Sequence, residues 1–248
     1  MGDSIIELID VRKNFEGAEV LRGLSLTLEK AETLVVMGGS GSGKTVTLRL
    51  VAGLIPPDAG QIRVFDRNIE ALSEEELLPI RRRMGYVFQG SALFDSLSVH
   101  ENVAYPLREH TRLREGEIRG RVVHFLSLVG LGEDVLPLLP AELSGGMRKR
   151  VGIARALIVE PEVLLFDEPT AGLDPTNSKM VGELIAELRD RGVCDTAMVV
   201  THDLELTKTV ATRAAILIEG RFAAAGILDE VLHSKDTAVA AFLTGEAR

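Results

Sequence analysis

Residues Gly38, Gly39, Ser40, Gly41, Ser42, Gly43, Lys44 and Thr45 follow the apolar run TLVVM and precede the helix-forming run VTLRLVAGL. That spacing, in that context, is a phosphate-binding loop. The glycines let the main chain curl so that its N–H groups face phosphate, Lys44 would neutralise the β- and γ-phosphates, and the Thr45 hydroxyl suits Mg²⁺. Further along, VLLFDEP at 163–169 delivers two carboxylates at the end of an apolar strand. Asp167 is placed to hold the Mg²⁺ shell. Glu168, next in line and so directed to the other side of an extended strand, is placed to orient or deprotonate a water attacking a γ-phosphate. Standing alone, such a pair is more often a solvated strand end; the loop gives it a ligand.

A second stretch, AELSGGMRKRVGIARAL at 141–157, sets Ser144, Gly145 and Gly146 at the start of an apolar-periodic helix. Free N–H groups and the helix dipole attract an anion there. The residues alone leave two readings open, a second anion site or a serine-capped helix with a flexible entry. The basic run 148–150 within it reads as a solvated helix face.

These groups need elements to hold them. Strand-like runs IIELIDV, TLVVMG, EVLLFD, TAMVVTH and AAILIEG are separated by helical or irregular stretches, which predicts an α/β core. The runs at 34–37, 163–166 and 197–200 read as buried strands with polar or glycine residues at their carboxyl ends, where open sheets bind ligands. Residues from about 90 to 160 read mainly as helix, with EIRGRVVHFLSLVGL amphipathic, so a helical subdomain is expected there, inside one domain whose catalytic core is 1–90 and 160–248.

The 248 residues carry 46% hydrophobic side chains, enough for a full core, and a net charge of −9, which argues against a broad grip on nucleic acid. The single Cys194 allows no internal disulfide and is expected to be a small buried or half-buried apolar side chain. No segment offers the roughly 18 consecutive apolar residues of a membrane span, and the N-terminus lacks the pattern of a signal peptide, so the chain by itself is expected to be soluble and cytosolic.

Taken together, the motifs resemble the ATP-binding subunits of ABC transporters over nearly the whole chain, in that family's order. LSGGM stands at the signature motif, Gln89 in YVFQ at the Q-loop, AGLD at 171–174, ending on Asp174, at the D-loop, and His202 in VVTHD at the switch histidine. Phe15 sits where the family has an adenine-stacking aromatic. The resemblance implies a P-loop NTPase of ABC type, with a mixed sheet and a helical subdomain, that binds ATP and Mg²⁺ and hydrolyses ATP. It implies that Gln89 reports on the nucleotide through Mg²⁺ or water and that His202 holds the attacking water. It also implies a head-to-tail dimer with a second copy, in which Ser144, Gly145 and Gly146 close on the ATP held by the other chain. The partner would then be a membrane permease, and the location the cytoplasmic face of the inner membrane.

Two departures are visible. Val46 replaces a hydroxyl residue that bonds the α-phosphate, a loss of about 1 kcal/mol. Met147 replaces the usual glutamine. LSGGM, together with FQGSALFDSLSVHENVAYPLREH at 88–110, is similar to the MlaF-like ATPases of bacterial phospholipid transporters that work with MCE proteins. Those ATPases carry a longer C-terminal extension than the tail found here after residue 240, and any dimer contact made by it is not implied for this chain. An importer of polar amino acids or other small solutes shares every nucleotide motif and is the alternative. Genome-maintenance ATPases of the same superfamily are disfavoured, since only about a hundred residues separate Lys44 from Ser144 and no sustained heptads intervene. Within 90–107, Phe94 and Tyr105 are the residues expected in a permease-facing groove, whereas Leu97 and Val99 are as well explained as packing.

Overall fold

Strands that are apolar at every position must be covered on both faces. In the computed structural model, which describes residues 4–245, the apolar runs of the sequence become such strands. The first half of the chain runs β1 (Ser4–Phe15), β2 (Ala18–Glu29), β3 (Thr33–Gly38), α1 (Lys44–Val51), β4 (Ala59–Val64), β5 (Arg67–Asn68), α2 (Glu74–Arg81), β6 (Met84–Val87), α3 (Val99–His110) and α4 (Glu115–Leu128). Then follow α5 (Gly145–Leu157), β7 (Val163–Asp167), α6 (Pro175–Asp190), β8 (Ala197–Thr201), α7 (Leu204–Val210), β9 (Arg213–Ile218), β10 (Arg221–Ile227), α8 (Leu228–Leu232) and α9 (Thr237–Thr244). The last three residues of the tail considered above lie outside the described residues.

Among the described residues ten strands form two sheets. One is four-stranded and antiparallel, in the order β2-β1-β4-β5; the other is six-stranded, in the order β10-β9-β3-β8-β7-β6. In the second sheet β9, β3, β8, β7 and β6 are parallel and only β10 runs antiparallel, so the sheet is mixed. Alternation along its central strands sorts their side chains into two cores. Leu34, Val36, Leu165, Met198 and Val200 face α1, α2 and the smaller sheet, while Val35, Met37, Leu164, Phe166 and Val199 face the helices from α3 onward.

The stretch from 99 to 157 is helical, with two short 3₁₀ turns between α4 and α5. Its apolar side chains, among them Val103, Val122, Leu126 and Ile153, join the same core that covers β3, β7 and β8. Helix α3 starts at a reciprocal cap: Ser98 Oγ accepts from Glu101 N–H at 3.2 Å while Glu101 Oε2 accepts from Ser98 N–H at 2.8 Å, satisfying donors that a helix start otherwise leaves free. Cys194 is buried and free, and burial pushes its thiol up to about 11, which leaves it inert. Among the described residues no helix is long and apolar enough to cross a membrane.

Candidate functional site

The carboxyl end of β3 runs into the glycine loop and then α1. Gly43 stands at the helix entry with φ 107°, a left-handed backbone that a side chain resists, and no side chain caps this helix. Its first N–H groups are therefore available to a ligand. A Cβ placed on Gly39 or Gly41 would meet nothing within 4 Å, so the loop encloses open space, and Ser42 Oγ is buried beside it without a partner. A cradle with free donors and an unused hydroxyl fits phosphate.

On one flank Thr45 Oγ1 donates to Asp167 Oδ1 at 2.8 Å, and Tyr86 Oη donates to Asp167 Oδ2 at 3.2 Å. Parity explains this, since Asp167 continues the face of β7 that carries Leu165, which lies beside Tyr86 in the β6–β7 register. Burial, and next the Asp167 charge, push the Tyr86 phenol well above its ordinary range, so it stays a donor. A hydroxyl and a carboxylate side by side are hard oxygen ligands, the donor set that suits Mg²⁺.

On the other flank Lys44 Nζ lies 3.3 Å from Glu168 Oε1 and donates to the carbonyls of Gly38 at 2.8 Å and Gly39 at 3.0 Å. Glu168 Oε2 accepts from Thr201 Oγ1 at 3.3 Å and lies 2.9 Å from His202 Nδ1. The carboxylate is buried while the His202 side chain is 64% exposed, so the imidazole forms the outer wall of the site. The expectation of an extended backbone at Glu168 is corrected here. The strand ends at Asp167, and Glu168 has φ 46°, its N–H held by the Val200 carbonyl at 2.9 Å. A left-handed turn, rather than strand alternation, aims this side chain at Lys44 and His202. Such a conformation costs energy in a residue other than glycine and persists where its surroundings enforce it.

The basic run 148–150 requires a second correction. Lys149 is only 5% exposed; its ammonium donates to the carbonyl of Gln89 and, at 3.3 Å, to that of Glu168. Arg148 bonds the carbonyl of Leu143 and Arg150 that of Gly130. The run is not a solvated face because helical spacing places Lys149 four residues before the buried Ile153, on the inner side of α5. Burial draws the Lys149 ammonium below its usual range, against the pull of the Glu168 and Asp167 carboxylates.

The structure thus gathers Gly38 to Thr45, Asp167, Glu168 and His202 into one cluster and links Gln89 to it through Lys149. Val46 packs partly buried against α1's side of the core. Ser144, exposed, caps α5 by accepting from Met147 N–H at 3.2 Å. Asp174 caps α6 by accepting from Thr176 and Asn177 N–H at 3.0 and 3.1 Å, and bonds to Asn177 hold its carboxyl below the usual range. Phe15 ends β1 and is 42% exposed, with the Lys13 ammonium over its ring at 5.4 Å from the centroid. Among the described residues no hydrogen bond ties Ser144, Gly145, Gly146, Asp174 or Phe15 to the Lys44 cluster. Sequence reasoning missed Tyr86 and Lys149. The spacing of Tyr86 from Met84 and of Lys149 from Ile153 marks the face each takes, not the distant group it meets.

After Gln89 the chain builds a groove of about 440 Å³, lined by Leu78, Phe88, Phe94, Tyr105, Pro106 and Val159. Phe94 and Tyr105 are 44% and 41% exposed, their centroids 4.9 Å apart, whereas Val99 is fully buried. The wall is held by Asn102, which is fully buried: it accepts from Phe94 N–H at 2.8 Å and donates to the carbonyls of Phe94, Leu97 and Ser98. Asn102→Ala is expected to lower stability by about 1–3 kcal/mol, read from the urea midpoint, because it strands these groups away from water. A larger cavity of about 900 Å³ lies away from this chemistry, between β1, β2 and the start of β7, and contains none of the cluster.

The sequence family described as ABC transporter matches residues 21–171. The chain is 39% identical over 251 residues to the intermembrane phospholipid transport system ATP-binding protein MlaF of Escherichia coli, covering all of this chain and 92% of that one. It is equally 39% identical over 245 residues to a probable ribonucleotide transport ATP-binding protein, mkl, of Mycobacterium tuberculosis, covering 99% of this chain and 67% of that one. Among solved structures it superposes with a TM-score of 0.81 and 32% identity on a dimeric, post-hydrolysis ATP-binding cassette bound to ADP and Pi, over 90% of this chain and 98% of that one. It superposes with a TM-score of 0.84 and 30% identity on cbiO1 of Clostridium perfringens, part of the ABC transporter complex cbiONQ, over 97% and 95%.

Proposed function

This chain belongs to the ABC transporter family as an ATP-binding subunit that hydrolyses ATP, and from that premise we propose that it drives a membrane permease that moves phospholipid or a related lipid between membranes. The observation that carries the ATPase chemistry is the convergence of the glycine cradle, the Thr45–Asp167 pair and the Lys44–Glu168–His202 cluster at the carboxyl ends of the neighbouring parallel strands β3, β8 and β7.

In the proposed reaction the cradle N–H groups and Lys44 hold the β- and γ-phosphates, and Phe15 stacks on the adenine. Thr45 and Asp167, with Gln89 nearby, would hold Mg²⁺, which when bound offsets the negative charge of the phosphate oxygens. Tyr86 fixes the second Asp167 oxygen. Glu168 accepts a proton from water while His202 keeps that water in line. The water oxygen bonds the γ-phosphorus as the bond to the bridging oxygen breaks, leaving ADP and inorganic phosphate. Lys44 already touches Glu168, so phosphate must draw the ammonium off that carboxylate before the carboxylate can work.

The second helix N-terminus, at Ser144, serves a different nucleotide. Exposed and with no hydrogen bond of its own to the Lys44 cluster, Ser144 would close on the ATP of a second copy across a two-fold axis, with Asp174 at the same seam. The pair would sit on the cytoplasmic face of the inner membrane. There a short helix of the permease would dock in the groove of Phe94 and Tyr105, with an MCE lipid-binding protein in the same complex.

The lipid reading is supported by the identity to MlaF over all of this chain; the identity to mkl supports ribonucleotide or another small solute as the second reading. Purification from native membranes in mild detergent, with mass spectrometry of what accompanies the chain, separates them. A permease with an MCE subunit and phospholipid is the expected result; a permease accompanied by a solute-binding protein and no lipid would refute it. Phe94→Asp is expected to release the permease while ATP binding stays near the native level, since a few apolar anchors supply most of such a contact. Retention of the permease would mean that the dock lies elsewhere.

A further inference from the structure

Lys149 carries the only buried ammonium besides Lys44 that touches the catalytic strand ends among the described residues. It sits on α5, five residues after Ser144, so the helix that begins at the partner-facing anion site also grips two main-chain carbonyls of its own chain. One carbonyl belongs to Gln89, where β6 leaves the sheet for the groove; the other belongs to Glu168, whose side chain orients water and whose backbone is held at φ 46°. An unpaired ammonium is too costly to leave buried, and carbonyls accept its hydrogen bonds without neutralising it, so the contact constrains position rather than charge.

We propose that Lys149 is a positioning residue for hydrolysis. It fixes the left-handed turn at Glu168 and ties that turn to the start of the groove segment and to the signature helix. A displacement of α5, as it closes on nucleotide held by the partner, is thereby felt at the chain's own water-orienting carboxylate and at Gln89. This inference rests on the head-to-tail reading above. It adds a physical link between one nucleotide site and the other through a single side chain.

The test uses the full chain with Lys149→Met, which keeps length and bulk but removes the donors, and Lys149→Arg, which keeps charge and donors. Steady-state hydrolysis against ATP concentration is expected to show kcat down about ten-fold or more for the methionine variant with KM changed less than about three-fold, and at least half of the native kcat regained with arginine. In a Glu168→Gln background, Lys149→Met is expected to leave the ATP-dependent dimer intact by size exclusion. A native kcat in Lys149→Met overturns the proposal. So does an unrescued loss in Lys149→Arg, or loss of ATP affinity in step with kcat, because either assigns the residue to general packing. If Lys149→Met does not fold, Lys149→Gln decides: its shorter amide reaches at most one carbonyl, so lowered kcat at native KM is expected and native kcat overturns. Failure of Glu168→Gln alone to dimerise would fault the head-to-tail reading instead, and is read separately.

Discussion

Glu168→Gln is expected to bind ATP nearly as the native chain does, to hydrolyse it roughly 100- to 10,000-fold more slowly, and to accumulate as a dimer with ATP and Mg²⁺. The amide preserves the size of a side chain packed among Lys44, Thr201 and His202 but cannot take a proton from water. It also ends the ionic contact with Lys44, which frees the ammonium for phosphate; affinity therefore holds while turnover falls. If ATP joins two chains and hydrolysis separates them, blocking the second step leaves the joined form. Single-turnover hydrolysis and size exclusion with and without nucleotide check both halves. A variant that turns over at the native rate would remove Glu168 from its role.

Changes at the two phosphate-binding stretches are expected to differ in kind. Lys44→Ala should weaken ATP binding by the isolated chain about ten- to a hundred-fold, the equivalent of one or two hydrogen bonds to a charged group, and leaves the buried Glu168 carboxylate without its cation. Ser144→Arg touches no part of that cluster. Its cost to the chain alone is the cap on α5, about 1 kcal/mol, and ATP affinity of the monomer should stay within about two-fold of native. Hydrolysis should nevertheless be lost, because a long cation then stands where another chain's nucleotide has to be enclosed. Equilibrium binding of a fluorescent ATP analogue to dilute protein, next to steady-state hydrolysis, separates the two effects.

What could be read from the sequence was local. The loop at 38–45 announces itself because glycines at fixed spacing are needed where the backbone turns left-handed, as Gly43 does. Likewise VLLFD ends on carboxylates after a run apolar enough to be a buried strand. What could not be read depends on neighbours remote in sequence. Lys149 looked solvated because three basic residues in a row usually are, and only the packing of α5 over the ends of β6 and β7 turns one of them inward. Tyr86 meets Asp167 because β6 pairs with β7 in one particular register, information absent from either segment alone. The long β1 and β2 carry several register shifts that blur their alternation, so the smaller sheet left only a single run, IIELIDV, as its trace. The left-handed turn at Glu168 has no marker at all, since the residue type disfavours it.

The most direct measurement mixes two inactive variants, Lys44→Ala and Ser144→Arg, and follows ATP hydrolysis at a concentration that favours dimers. A mixed pair assembles one site from the intact Lys44 loop of one chain and the intact Ser144 helix of the other, while its second site has both halves defective. With half of all dimers mixed and one working site in each, recovery of about a quarter of native activity is expected, and neither variant alone regains any. No recovery, with mixed dimers demonstrated in the same sample, would contradict a nucleotide site shared between two copies of this chain.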